Sequence, residues 1–146
     1  MVGPSLPSAP EADVADRVGQ LLARAEAVVV SGGMGGVMEA ASRGAQREGG
    51  LTVGLLPGTA RTQANRHVDV VIPTGMGEMR NALLVRTCDA LICVGGSWGT
   101  LSEVALALRT GVPVAAVHGW DLPEDDGLCD VATAEEAVAQ VLAWLS

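Results

Sequence analysis

One stretch of the sequence displays the folding unit most clearly: Ala90-Leu91-Ile92-Cys93-Val94-Gly95-Gly96-Ser97-Trp98-Gly99-Thr100-Leu101-Ser102-Glu103. Its first five residues form a continuous apolar run, which predicts a buried strand. The glycine-rich residues 95–100 predict a tight loop, and apolar spacing over residues 101–109 predicts a helix with Gly111 as its C-cap residue. A strand that leads through a short loop into a helix is the repeating unit of a parallel sheet.

The same unit recurs on both sides of this stretch. Short apolar runs predict strands over residues 27–30, 51–55, 68–72 and 112–117, and helical apolar spacing predicts helices over residues 11–25, 36–48 and 78–88. A capping box at residues 133–136 predicts a last helix that ends near Trp144. Before it, the polar residues 118–130, with the acidic run Glu124-Asp125-Asp126, are expected to form a surface loop.

Strands that alternate with helices predict an α/β fold. We expect a Rossmann-like three-layer sandwich, in which a mainly parallel sheet is flanked by helices, and a single domain over residues 1–146. The start of the sequence departs from this pattern. A Rossmann-like sheet normally opens with a buried strand before its first loop, whereas only Met1-Val2 precedes Gly3-Pro4-Ser5 here. Either that strand is vestigial or the natural chain starts upstream, and the sequence alone leaves both readings open.

Composition restricts the classes to which this chain can belong. Hydrophobic residues make up 49% and charged residues 18% of it, so we expect a folded protein in water, with no membrane partner. The net charge of -8, the scattered arginines and the lack of Phe and Tyr argue against nucleic acid as a partner. Cys88, Cys93 and Cys129 have neither disulfide nor zinc spacing, and no secretion signal is evident, so we expect no metal and a cytoplasmic location.

The loop Gly95-Gly96-Ser97-Trp98-Gly99-Thr100 has the composition of a phosphate-binding site. Glycines let the backbone approach a bulky anion, and the unpaired N–H groups of the following helix point to the same place. The Ser97 and Thr100 hydroxyls can add contacts. The alternative is a plain strand-to-helix turn with Thr100 as the N-cap residue. The loop is not a P-loop, because no Gly-Lys-Ser/Thr follows it, and it is not the dinucleotide fingerprint. Residues 31–38 do not match that fingerprint either, because Met38 stands at the third glycine position and no acidic residue follows about twenty positions on.

Two further loops are expected at the same edge of the sheet. Ligands of open parallel sheets bind beyond the carboxyl ends of the strands, where the loops that follow the strands meet. The candidate binding residues are Gly32, Gly33, Met34 and Gly35 in the first loop and Thr74, Gly75 and Met76 in the second.

Two charged residues are candidates for chemistry at this edge. Glu103 lies one turn into its predicted helix, where a carboxylate can protonate a leaving base or orient water. Alternatively, Thr100-Leu101-Ser102-Glu103 is a capping box in which Glu103 binds the Thr100 backbone N–H. Arg80 lies at the start of a predicted helix, where a guanidinium opposes the helix dipole. That position indicates a ligand contact, with a solvated arginine as the alternative.

At these residues the sequence resembles the LOG (Lonely Guy) family, long mislabelled as lysine decarboxylases. Residues 95–103 match the hallmark Pro-Gly-Gly-x-Gly-Thr-x-x-Glu except for Val94 in place of the proline, and residues 32–40 resemble the family's first glycine loop. In the Met-x-x-Arg-Lys segment, one extra residue separates Met76 from Arg80, and Asn81 replaces the lysine. These departures resemble a sister branch that includes molybdenum-cofactor carrier proteins.

The resemblance implies a small nucleotide-like ligand whose phosphate is held by the hallmark loop, with Asn81 close by. It also implies catalytic roles for Arg80 and Glu103 in a nucleoside 5′-monophosphate phosphoribohydrolase, which releases a free base and ribose 5-phosphate. The alternative is a binding or carrier protein that holds a phosphorylated nucleotide or a pterin such as the molybdenum cofactor without cleaving it. Neither function requires a further cofactor, and the family implies a homo-oligomer, a dimer or larger.

Overall fold

Helices and strands mostly alternate along the chain. The computed structural model describes residues 1–123 and 125–146. None of the helices in these two ranges combines the length and the hydropathy that a bilayer span requires. The elements in chain order are α1 (Ala9–Arg24), β1 (Val29–Ser31), α2 (Val37–Arg47), β2 (Thr52–Leu56), β3 (Val70–Pro73), α3 (Arg80–Thr87), β4 (Leu91–Val94), α4 (Trp98–Arg109), β5 (Val114–Val117), β6 (Leu128–Val131) and α5 (Ala134–Trp144), with short 3-10 turns at Arg61–Gln63 and Gly77–Met79. Within the described ranges, β3 follows β2, and β6 follows β5, without an intervening α-helix.

The described strands are all parallel to their neighbours and form two halves, β1-β2-β3 and β4-β5-β6. Met1 and Val2 lie between these halves. The Val2 N–H donates to the Ile92 carbonyl at 2.9 Å, and the Met1 amino group donates to the Val30 carbonyl at 2.9 Å. The halves are thereby joined into one parallel sheet with helices on both faces, which is the Rossmann-like three-layer sandwich that the sequence predicts.

The strand order determines where loops converge. From the position of Met1 and Val2, the chain proceeds outward through β1, β2 and β3 on one side and through β4, β5 and β6 on the other. At such a reversal the loops leave the sheet in opposite directions and open a crevice beyond the carboxyl ends of the strands. The loops that follow Val2, β1 and β4 therefore meet at one place.

Small side chains allow close packing on both faces of the sheet. One core cluster packs α1, α2 and α5 against the sheet, and the second packs α3 and α4 against its other face. Between α1 and α2, a Cβ added to Gly19 would collide with the Ala41 carbonyl, and one added to Gly44 would collide with the Asp16 carbonyl. The two helices can approach this closely only because both positions lack a side chain.

One predicted loop contains a strand. The prediction of a surface loop over residues 118–130 is wrong at its end, because β6 pairs with β5 from Leu128 opposite Val114 to Val131 opposite Val117. The strand lies at the edge of the sheet and is only partly buried, so it lacks the continuous apolar run of the central strands. Glu124 of the predicted acidic run lies outside the described residues.

Candidate functional site

Helix α4 begins at the end of the glycine-rich loop, with Ser97 as its N-cap residue. The Ser97 Oγ accepts the Thr100 N–H at 3.3 Å and lies 2.9 Å from the Thr100 Oγ1. In the alternative reading of this loop as a plain turn, Thr100 as the N-cap residue is therefore wrong, because the helix already begins at Trp98. The N–H groups of Trp98 and Gly99 lie in its first turn, where helix geometry offers them no intrahelical acceptor. This terminus carries the positive end of the helix dipole.

A cavity of ≈130 Å³ lies in front of this helix terminus. Its wall is built by the segment after Val2, the loop after β1, the start of α3 and the start of α4. The predicted site residues in this wall are Gly32, Met34, Arg80, Asn81, Ser97, Gly99, Thr100 and Glu103. Residues from three separate predicted segments thus come together around one small space.

Arg80 is the first residue of α3, and its side chain is turned inward. The residue is 9% exposed, and its Nε and Nη1 atoms have no hydrogen-bond partner in the part of the chain that the structure describes. The reading of Arg80 as a solvated arginine is therefore wrong. Burial lowers the pKa of Arg80 and the nearby Glu103 opposes that shift, but a guanidinium stays protonated in proteins. Unpaired donors on a buried cation are costly, so the free Nε and Nη1 atoms indicate an anionic ligand.

Glu103 lies one turn into α4 and faces the same cavity. The Thr100 N–H is bonded to Ser97, so the capping-box reading of Glu103 is wrong. Glu103 is 9% exposed, and burial raises its pKa to about 7 against the opposing positive charges of the amino terminus and Arg80. Its carboxyl group therefore changes charge near neutral pH, in a cavity that also contains a guanidinium.

Asn81 connects the starts of two helices in the wall of the cavity. Its Nδ2–H donates to the Ser102 Oγ at 3.4 Å, and the Ser102 hydroxyl donates to the Gly99 carbonyl at 2.7 Å. This chain of bonds links the start of α3 to the first turn of α4. It holds Arg80 and the helix terminus on adjacent sides of the cavity.

The remaining residues of the hallmark loop lie outside the wall of this cavity. Gly95 has a φ of 69°, which favours glycine, and its N–H donates to the Val117 carbonyl at 2.9 Å. Gly96 packs against the Trp120 indole, whose Nε1 lies 2.9 Å from where a Cβ would stand. Trp98 is 78% exposed, and its ring lies 5.1 Å from the Trp120 ring. These residues shape the turn and its outer surface.

The predicted site residues of the second loop lie outside this wall as well. The Thr74 Oγ1 donates to the Leu56 carbonyl at 2.7 Å and accepts the Met76 N–H at 3.2 Å, so the hydroxyl is used within the turn. Gly75 provides the positive φ of this turn. In the first loop, Gly33 and Gly35 also lie outside the wall. Direct ligand contact from these residues remains a prediction.

Sequence reasoning missed the segment after Val2. Gly3 and Ser5 line the cavity together with Met1, Val2 and Met38. The signal was present, since Gly3-Pro4-Ser5 follows two apolar residues as Ser31-Gly32-Gly33 follows β1. Two apolar residues are too few to predict a strand by themselves, and only the hydrogen bonds to the neighbouring strands identify this one.

Nearly the whole chain matches a known protein family. The model of the SLOG cluster4 family covers residues 1–142. The chain belongs to the SLOG cluster4 family. An uncharacterized protein of Archaeoglobus fulgidus is 45% identical over 125 residues, which cover 86% of this chain and 81% of the relative.

Solved structures similar to this SLOG protein include a molybdenum cofactor binding protein and a molybdenum cofactor carrier protein. The molybdenum cofactor binding protein of Rippkaea orientalis has a TM-score of 0.93 and 33% identity, covering 99% of this chain and 94% of that one. The molybdenum cofactor carrier protein of Chlamydomonas reinhardtii has a TM-score of 0.89 and 31% identity, covering 99% and 95%. These similarities confirm the LOG-type resemblance near the carrier branch, and they favour the binding or carrier alternative over the hydrolase.

Proposed function

We propose that this SLOG protein binds and carries a phosphorylated small molecule of the pterin type, with the molybdenum cofactor as the first candidate. The observation that carries the proposal is Arg80, a buried cation whose Nε and Nη1 atoms are without a partner among the described residues. We assign the function to a single domain over residues 1–146 that works in the cytoplasm.

The chemistry of the cavity suits the phosphate of such a ligand. The Arg80 guanidinium offers a planar fork of donors that matches phosphate oxygens. The N–H groups of Trp98 and Gly99 add the positive end of α4, and the hydroxyls of Ser5 and Ser97 lie in or beside the wall. Charge-assisted hydrogen bonds contribute roughly 1.5–3 kcal/mol each, so a few of them account for retention of an anion.

The size of the cavity suits a carrier. Its volume is ≈130 Å³, whereas pockets that enclose a whole drug-sized ligand measure roughly 300–1,000 Å³. The cavity therefore holds the charged end of the ligand, and the ring system lies over the open edge of the sheet. A ligand held by one end can be handed to another protein without unfolding its carrier.

Isothermal titration calorimetry tests this function, with molybdenum cofactor released from a purified molybdoenzyme and with inorganic phosphate as the minimal probe. We expect one site per chain, with tighter binding of the cofactor than of phosphate. Arg80→Ala is expected to weaken both by about tenfold or more, which corresponds to about 1.4 kcal/mol. Arg86→Ala is the matched control, because Arg86 is exposed on the same helix. A folded wild-type protein that binds neither probe contradicts the proposal.

A second candidate is the phosphoribohydrolase, which the position of Glu103 favours. This carboxyl group faces the cavity with a pKa of about 7, the range in which a general acid works best near neutral pH. Chromatography of AMP incubated with the protein separates the two functions. Release of adenine that Glu103→Gln lowers by about 100-fold or more supports the hydrolase. Recovery of intact AMP from a protein that binds it supports the carrier.

A further inference from the structure

A second cavity lies at the opposite, amino-terminal edge of the sheet. Its volume is ≈580 Å³, and it separates the start of β1 from the start of β4, with the ends of α1 and α5 as side walls. Its lining is mainly apolar and includes Leu22, Val28, Ile92, Val141 and Leu142. This space is open to solvent, and the lining residues Val28 and Leu145 are half exposed. A large exposed apolar surface of this kind marks a place that another group covers, and we name this space the strand slot.

Strand β1 directs an unused backbone donor into the strand slot. The Val29 N–H donates to the Leu51 carbonyl on the side of β2, so the backbone groups of the next residue, Val30, point the other way. The Val30 carbonyl accepts the Met1 amino group at 2.9 Å. On that side the described residues offer β1 no neighbouring strand beyond Met1, so the Val30 N–H is left without a ladder partner.

Strand β4 does the same from the opposite side. The Leu91 N–H donates to the Pro113 carbonyl next to β5, so the backbone groups of Ile92 face the strand slot. The Ile92 carbonyl accepts the Val2 N–H at 2.9 Å, and within the described ranges no chain extends further along this side of β4, so the Ile92 N–H is left without a ladder partner. Ile92 is 3% exposed. Well over nine-tenths of buried backbone donors in native proteins are paired. The unpaired donor of the buried Ile92, with that of the half-buried Val30 on the other side of the strand slot, indicates an extended backbone between them.

We propose that the strand slot holds an extended segment of this polypeptide that directly precedes Met1 and completes the central strand of the sheet. The Met1 nitrogen already lies between β1 and β4, so a residue joined to it enters the slot. Parallel register then assigns the partners: the residue joined to Met1 accepts the Ile92 N–H, and the residue before that accepts the Val30 N–H. Because both faces of this strand are covered, its side chains are apolar.

The amino terminus of the endogenous protein provides the first test. The protein is captured from its own organism with an antibody, and its amino terminus is determined by intact mass and peptide sequencing. We expect two or more apolar residues before Met1. An endogenous chain that begins at Met1 overturns the proposal.

Two extended variants test the slot physically. In one, the chain is preceded by Met-Val-Val-Ile, and in the matched control by Met-Gly-Ser-Gly. The apolar extension is expected to raise Tm by about 5 °C or more and to slow hydrogen exchange at the Val30 and Ile92 amides by about tenfold or more. The polar extension is expected to do neither. Equal effects of the two extensions, or unchanged exchange at both amides, overturn the proposal.

Discussion

The Arg80 guanidinium lies directly against the Cα of Gly32. A Cβ built on Gly32 would collide with the Arg80 Nη1 and lie 2.6 Å from the Met38 Sδ. The absence of a side chain after β1 therefore allows the start of α3 to place its cation in the cavity. Gly32 and Arg80 come from separate loops, and their contact couples those loops at the proposed anion site.

Gly32→Ala is expected to displace the Arg80 guanidinium and weaken phosphate binding by about tenfold or more. The reason is steric, since the methyl group occupies the space of the Arg80 Nη1. Gly35→Ala is the matched control in the same loop, because a Cβ there has nothing within 4 Å. Calorimetric titration with inorganic phosphate measures both. Wild-type affinity in Gly32→Ala would show that the guanidinium does not hold the anion.

Anion binding is expected to weaken as the pH rises through about 7. Below this pH Glu103 is neutral, and above it a carboxylate shares the cavity with the bound anion, because burial raises the pKa of Glu103 to about 7. Sulfate is the suitable probe, since its own charge stays constant over this range. In titrations at several pH values from 5.5 to 8.5, the sulfate affinity of the wild type is expected to fall as the pH rises. The sulfate affinity of Glu103→Gln is expected to stay constant. The same decrease of sulfate affinity with pH in both proteins would rule out Glu103 as the cause of that decrease.

Glu103→Gln is also expected to stabilise the fold at pH 8 and to have a much smaller effect at pH 5. In the folded state, burial raises the pKa of Glu103 to about 7, above the ordinary value of 4.5 for a glutamate. The stability linked to the neutral carboxyl is therefore fully present below about pH 4.5 and is lost as the pH rises through about 7. The loss is of the order of 3 kcal/mol. Urea unfolding at both pH values measures it, with the exposed Glu26→Gln as control. A stabilisation that does not depend on pH would contradict this account.

Ser97→Ala is expected to lower both stability and phosphate affinity. Loss of the N-cap costs about 1 kcal/mol and loosens the first turn of α4, which contributes Gly99 and Thr100 to the wall of the cavity. Thr133→Ala is the comparison, since the Thr133 Oγ1 caps α5 by accepting the Glu136 N–H at 3.2 Å, away from the cavity. Thermal unfolding is expected to show similar losses for both variants, whereas phosphate titration is expected to change only for Ser97→Ala. Equal phosphate affinity of the two variants would show that the N-cap of α4 does not contribute to anion binding.

Most of the fold was predictable because the signals for the central strands and the helices are local. The runs that became β1 to β5 are apolar, and each strand begins one or two residues after the predicted start. Strand β6 and the segment Met1-Val2 were not predictable in this way. The first is partly buried at an edge, and the second is identified as strand only by its bonds to Ile92 and Val30.

The sequence by itself determined the parallel α/β architecture, the glycine-rich turn before α4, and Arg80 and Glu103 as charged residues at unusual places. Only the tertiary structure decided that Ser97 caps α4, that Arg80 turns inward against Gly32, and that the loop after Val2 closes the cavity. The physical reason is that apolar periodicity and turn chemistry belong to short segments of chain. Burial, the pairing of polar atoms and the shift of a pKa depend instead on contacts between segments that lie far apart in the sequence.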